Sequence, residues 1–201
     1  MPRTATHTIR QALASHLGPD DWEQQDLFEK RRLPHPEIAQ IEHGHISARQ
    51  IRDHLSDEVW NSYHRFAFVR NPFDRFVSTC FFLNRKNSGF EDSAIPFMKQ
   101  ALTVDRFRRR ILVVPQSALL TDEDGSLVLD SLGRYERLQE SYDEICDRIG
   151  IQTTELGRKN PSKHDRFSEY YDDELKEMVA DFYKDDLRLF SYRFDSSSPM
   201  N

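Results

Sequence analysis

Cysteine is scarce in this 201-residue chain: only Cys80 and Cys146 occur, too few for a disulfide framework or an all-cysteine metal site. Both fall on apolar-periodic stretches and read as small buried hydrophobes. Long apolar runs are missing too. No run is longer than Phe66–Val69 or Ile111–Val114, far below the roughly 18 residues of a membrane span, so no integral membrane segment is expected. Glycine is sparse, with 7 in all and none before Gly18, and neither Gly-Lys-Thr nor Gly-Lys-Ser occurs, so there is no Walker A loop. Signal-peptide features and N-x-Ser/Thr sequons are absent, because Asn160 precedes Pro161. Together these favour a reducing cytoplasm, with peripheral membrane attachment left open. Basic excess is lacking as well. The 28 Lys and Arg against 34 Asp and Glu leave a net charge of −6, whereas a general nucleic-acid binder needs a broad basic surface.

What is present suits one globular domain. The chain is 37% apolar, and at its mass about 70% of the unfolded surface becomes buried on folding, enough for a core without metal or disulfide. Residues 1–195 read as a single domain and 196–201 as a flexible tail. The charge is segregated. Arg65, Arg70, Arg75, Arg85 and Lys86 cluster against Asp74 alone, while Asp122 to Asp147 holds nine acids against Arg134 and Arg137. A local basic pocket for a small polyanion is compatible with this pattern.

Phe66-Ala67-Phe68-Val69 has the continuous apolarity of a strand buried on both faces. Asn71 and Pro72, a favoured N-cap and a favoured first helical residue, start a helix whose Phe73, Phe76, Val77, Cys80 and Phe81 form one apolar stripe. A second strand is expected at Ile111–Val114, and a hairpin over Ser117–Asp130 around Asp122-Glu123-Asp124-Gly125. Leu138, Tyr142, Ile145 and Ile149 mark a helix ending near Gly150. Leu175, Met178, Val179, Phe182 and Tyr183 mark another, and Ile9, Leu13 and Leu17 a short one ending at Gly18-Pro19. Alternating strands and helices imply an α/β sheet with its sites at the carboxyl ends of the strands.

Three segments carry chemistry. Arg70 ends a strand and runs into a helix N-terminus, which offers free N–H groups, a positive dipole end and a guanidinium fork to a phosphate; Ser78 adds a hydroxyl. Pro2-Arg3-Thr4-Ala5-Thr6-His7-Thr8 is a hydroxyl-rich loop entering a helix, a type that holds phosphate or sulfate through amides and hydroxyls. In His43-Gly44-His45 the two imidazoles alternate toward one side of an extended segment, and histidine is the usual base for a hydroxyl at neutral pH. The usual spacings for a metal set are absent, so no metal is expected.

The run Phe66 to Ser78 resembles the 3′-phosphate-binding motif of carbohydrate sulfotransferases, the family of the Golgi enzymes for chondroitin and heparan sulfate and of many bacterial relatives. Pro2 to Thr8 resembles its 5′-phosphosulfate loop, and His43-Gly44-His45 the His-Gly-His of heparan sulfate 2-O-sulfotransferases. Leu132-Gly133-Arg134-Tyr135-Glu136, with Asn160 and Tyr170-Tyr171, is similar to its C-terminal half. The resemblance implies a P-loop-like three-layer α/β domain around a central parallel sheet, with 3′-phosphoadenosine 5′-phosphosulfate as donor and a carbohydrate or other hydroxyl as acceptor. It implies that Arg70 and Ser78 hold the 3′-phosphate, that Arg3, Thr4, Ala5, Thr6, His7 and Thr8 wrap the 5′-phosphosulfate, and that His45, with His43 as partner or alternate, is the base. Arg158 and Lys159, in the basic loop reaching Lys163, are expected to close over the nucleotide or to meet an anionic acceptor. Two departures stand out: Arg3 occupies the family's lysine position, and the strand expected before the loop is missing or truncated. The alternatives are a degenerate domain that binds the nucleotide without turnover, and a P-loop kinase-like phosphotransferase, which lacks its Walker A loop. The acceptor's identity and the oligomeric state are not legible.

Overall fold

The computed structural model describes residues 1–18, 21, 38, 41, 44–157 and 166–195. The expected tail, His43, Arg158 and Lys159 lie outside these residues. The fold is mixed α/β with a small parallel sheet and many helices. Strand β1 spans Phe66–Val69 and pairs in parallel with β2, Ser131–Arg134, in a register that sets Phe68 opposite Gly133 and Val69 opposite Arg134. A central sheet was expected; among the described residues it has these two strands.

β1 is buried on both faces, as its unbroken apolarity requires. Phe68 packs with Ile9 of helix α1 (Thr6–Leu13) and with Tyr142, Ile145 and Cys146 of α8 (Leu138–Ile149). On the other face Val69 meets Leu119 and Leu120 of the short helix α7 (Ser117–Leu120), together with Phe190 and Tyr192. Gly133 is dictated by this packing, since a Cβ there would stand 2.6 Å from the Phe68 ring.

The helix after β1 forms as its sequence predicts. α4 spans Pro72–Leu83; the Asn71 side chain accepts from the Phe73 N–H at 3.0 Å, and Pro72 occupies the first turn. Phe73, Phe76, Val77 and Cys80 are buried in the largest core cluster. That cluster also takes in α5 (Ala94–Thr103), Phe107 of α6 (Asp105–Arg108) and α9 (Asp173–Phe182). Two further short helices, α2 (Ala48–Arg52) and α3 (Asp57–Ser62), precede β1, and α10 (Lys184–Leu189) follows α9. Gly150, at φ 75°, ends α8 in the left-handed conformation. Both cysteines are buried and free, and burial pushes the Cys80 thiol far above its ordinary pKa.

Two expectations need correction. Ile111–Val114 is a turn, not a strand. Its apolarity reflects burial of Val113, and the Leu112 and Val114 carbonyls are satisfied by Arg75 Nη2, at 3.2 and 2.9 Å, in place of a ladder. The hairpin is shorter than Ser117–Asp130: its first residues form α7, and the antiparallel bridge joins Thr121 to Leu127. The strand at Ser131–Arg134 was not expected. Its short sequence, interrupted by Gly133, has little β-propensity, and pairing with β1 decides its conformation.

Candidate anion-binding site

The turn between β1 and α4 is held by side chains from three distant segments. Gln116 clamps the Arg70 backbone, accepting from its N–H at 3.0 Å and donating to its carbonyl at 2.9 Å. Buried Asp186 fixes Gln116 by accepting from its backbone N–H at 2.8 Å and from its side-chain amide at 3.3 Å, and it takes the Ser117 N–H at 2.7 Å. Glu136 accepts the Asn71 N–H at 2.6 Å and the Tyr192 hydroxyl at 2.8 Å. No periodicity or motif distinguished Gln116 or Asp186 in the sequence; Glu136 lay in the stretch resembling the family, without a role. All three fix where Arg70 leaves the sheet.

The Pro2–Thr8 loop is docked against this turn. Arg3 and Ala5 both adopt positive φ, 66° and 61°, a conformation costing a non-glycine residue about 1–2 kcal/mol. Thr4 is buried, and the hydroxyls of Thr4 and Thr6 both donate to the Met1 carbonyl. α1 opens at Thr6 with Ala5 as its cap; no side chain caps it and no acid lies in its first turn. An uncapped N-terminus with a positive dipole end is suited to an anion.

Beneath the loop Arg75 is wholly buried. It donates to the Pro2 carbonyl at 3.3 Å as well as to the Leu112 and Val114 carbonyls, and so ties the loop to the 111–114 turn. Its Nη1 has no hydrogen-bond partner, and among the described residues no carboxylate pairs with it.

Above it, Arg3, Arg70 and Ser78 converge. The Arg3 guanidinium donates to Ser78 Oγ from Nε at 3.1 Å and from Nη2 at 2.8 Å, and lies over the Phe82 ring at 4.7 Å. Arg70 donates through Nη1 to the Arg3 carbonyl at 3.2 Å and stacks on Tyr135 at 4.1 Å. One edge of its fork is engaged by Asp74, at 2.7 and 2.8 Å. Burial and the neighbouring Arg70 charge hold Arg3 below the ordinary arginine pKa, against the raising influence of Tyr135 and Asp74. Two guanidiniums this close to one carboxylate leave a positive field that an anion relieves.

The loop residues, Arg70 and Ser78 are therefore brought together. His7 is exposed on the outer side of α1. His45 is half-buried, two residues ahead of Ser47, which caps α2 in a reciprocal capping box with Gln50. α2 packs on α7, the helix that follows Gln116, so the His45 segment is anchored to the elements that hold Arg70. Among the described residues no group of three or more His, Cys, Asp or Glu side chains is arranged to hold a metal.

Residues 1–193 match the model of the sulfotransferase family. The chain belongs to the sulfotransferase family. It is thus a transferase of sulfuryl groups, which sets the phosphotransferase alternative aside. An uncharacterized protein of Archaeoglobus fulgidus is 27% identical over 124 residues, covering 61% of this chain and 97% of that protein. No solved structure matches the chain. Among the described residues of this sulfotransferase, no helix is long and apolar enough to cross a membrane.

Proposed function

We propose that the protein transfers the sulfuryl group of 3′-phosphoadenosine 5′-phosphosulfate to a hydroxyl acceptor, a carbohydrate by its likeness to the carbohydrate sulfotransferases, within a P-loop-like domain. The observation that carries this reading is the convergence of Arg3, Arg70 and Ser78 beside an uncapped helix N-terminus. Arg70 and Ser78 receive the 3′-phosphate, with Arg70 exchanging part of its Asp74 contact for the ligand. The Thr4–Thr8 amides and hydroxyls take the 5′-phosphosulfate, and Arg3 lies between the two anionic groups.

In the reaction the acceptor oxygen bonds to sulfur while the bond from sulfur to the 5′-phosphate oxygen breaks. The acceptor proton passes to His45, with His43 as its alternate, and adenosine 3′,5′-bisphosphate leaves. Arg3 stabilises negative charge on the leaving oxygen; a guanidinium remains protonated and acts by electrostatics, not by proton transfer. Arg158 and Lys159 are assigned to closure over the nucleotide or to an anionic acceptor. This chemistry needs no metal.

Calorimetry with adenosine 3′,5′-bisphosphate, followed by transfer of labelled sulfate to a panel of glycans, tests the reading. Arg70→Ala is expected to weaken nucleotide binding by about 100-fold or more, the loss of a charge-assisted bidentate contact. Binding unchanged in Arg70→Ala would refute the site. Tight binding with no transfer to any acceptor would favour the degenerate, binding-only alternative, for which Arg3 at the family's lysine position is the motivating feature.

A further inference from the structure

A pocket of about 390 Å³ lies between the C-terminal end of α4 and helices α5 and α6, and none of the loop residues lines it. Its size falls within the roughly 300–1,000 Å³ of small-molecule sites. Leu83, Phe97, Ala101 and Phe107 make its apolar part, and the Phe97 and Phe107 rings meet edge to face with centroids 6.2 Å apart. Arg106 and Arg110 also line it, four residues apart and both exposed. The Arg110 guanidinium lies 5.6 Å from the Phe107 centroid, which keeps it over the aromatic floor.

Among the described residues nothing neutralises these arginines. Asp105, the acid of their own segment, faces Arg108 at 3.8 Å, and among the described residues no carboxylate pairs with Arg106, Arg109 or Arg110. An otherwise acidic chain thus sets two guanidiniums, without a carboxylate partner among the described residues, at a cavity lined by Phe97 and Phe107. An inorganic anion would leave the half-buried Phe97 in contact with water, and a neutral apolar molecule would leave the two charges uncompensated. A ligand with both an apolar body and an anionic head satisfies both parts of the lining.

We propose that this pocket binds a small organic anion, its ring or short chain resting on Phe97 and Phe107 and its carboxylate, sulfate or phosphate held between Arg106 and Arg110. The site is independent of the nucleotide reading.

Calorimetric titration of the full chain with naphthalene-2-sulfonate tests this, with naphthalene-2-methanol and inorganic sulfate as the uncharged and body-less controls. Saturable one-to-one binding is expected for the sulfonate, with both controls weaker by at least about tenfold. Arg106→Gln combined with Arg110→Gln, both surface changes, should weaken the sulfonate by at least about tenfold, whereas Arg109→Gln, which does not line the pocket, should change it less than about twofold. No saturable binding, equal binding of the alcohol, an unaffected double variant, an equal loss in Arg109→Gln, or competitive displacement by adenosine 3′,5′-bisphosphate would each overturn the proposal.

Discussion

The Arg3 guanidinium and the Ser78 hydroxyl, 75 residues apart in sequence, are joined by two hydrogen bonds of 3.1 and 2.8 Å to the same oxygen. The bond welds the N-terminal loop to α4 and brings the two segments assigned to the nucleotide's separate anionic groups into one site. Ser78 is wholly buried, and its hydroxyl is held against the Arg3 guanidinium. Ser78→Ala is expected to weaken adenosine 3′,5′-bisphosphate binding by roughly tenfold, the worth of one hydrogen bond to a charged group. Arg3→Ala should cost more, because it also removes a cation. Arg3→Lys should keep the charge and bind within about threefold of the parent, but lose the fork to Ser78. Calorimetry on the three variants checks the order, and nucleotide affinity unchanged in Arg3→Ala would show that the loop does not meet the ligand.

Gly133 answers to packing, not to turn geometry. It stands opposite Phe68 across the two strands, and a methyl group there would press on the ring at 2.6 Å. The Phe68 ring is only 5% exposed and is packed among α1 and α8, so it cannot swing into solvent. Gly133→Ala should destabilise the fold by about 1–3 kcal/mol, as overpacking does. For a chain of this size that lowers Tm by roughly 2–12 °C. Adding Phe68→Leu to Gly133→Ala should recover part of the loss, and thermal melts of the single and double variants measure it.

The same pair of strands shows where sequence reasoning succeeds and fails. β1 and α4 were legible because local signals agree: four consecutive apolar residues, then Asn71 as cap and Pro72 in the first turn. β2 was not legible, since its pairing with β1 depends on residues 65 positions away and its own sequence expresses little preference. Ile111–Val114 misled for the converse reason. Its residues are apolar enough for a strand, but their carbonyls are served by Arg75 from α4, a contact that no local pattern encodes. At the site, Arg70, Ser78 and the Pro2–Thr8 loop were readable as motifs, whereas Gln116, Asp186 and Tyr135 acquire roles only through tertiary contact. Composition groups Arg75 with the basic pocket. It lies wholly buried under the loop and positions the Pro2 carbonyl.

Acid stability should report on the entry to β1. Asp130 accepts from both the backbone N–H and the guanidinium of Arg65, at 2.7 to 2.8 Å, next to the start of each strand. The hydrogen bonds from Arg65 hold its carboxyl down to about 2. A carboxylate whose pKa is depressed on folding stabilises the fold above its unfolded value, near 3.9, and the contribution is lost as pH falls through the folded value. The relevant window is therefore about pH 4 down to about pH 2. Asp130→Asn should flatten the dependence of Tm on pH in that window relative to the parent while leaving the slope above pH 5 unchanged. Parallel curves across the window would contradict the role.

His45 supplies the most direct separation of binding from chemistry. Its segment leads into α2, which packs on α7 beside the clamp that Gln116 places on Arg70. A general base contributes typically about 100- to 10,000-fold to turnover. His45→Ala should therefore reduce kcat by about that factor, with the affinity for adenosine 3′,5′-bisphosphate unchanged because the nucleotide's anions are held elsewhere. A second signature excludes simple misfolding: if His45 is the base, the acid limb of the kcat/KM profile should be present in the parent and absent from the residual activity of His45→Ala. His45→Gln, which keeps much of the side chain's bulk and polarity, should not restore the rate. Full activity in His45→Ala would move the role to His43, and the same pH profile measured on His43→Ala would then decide it.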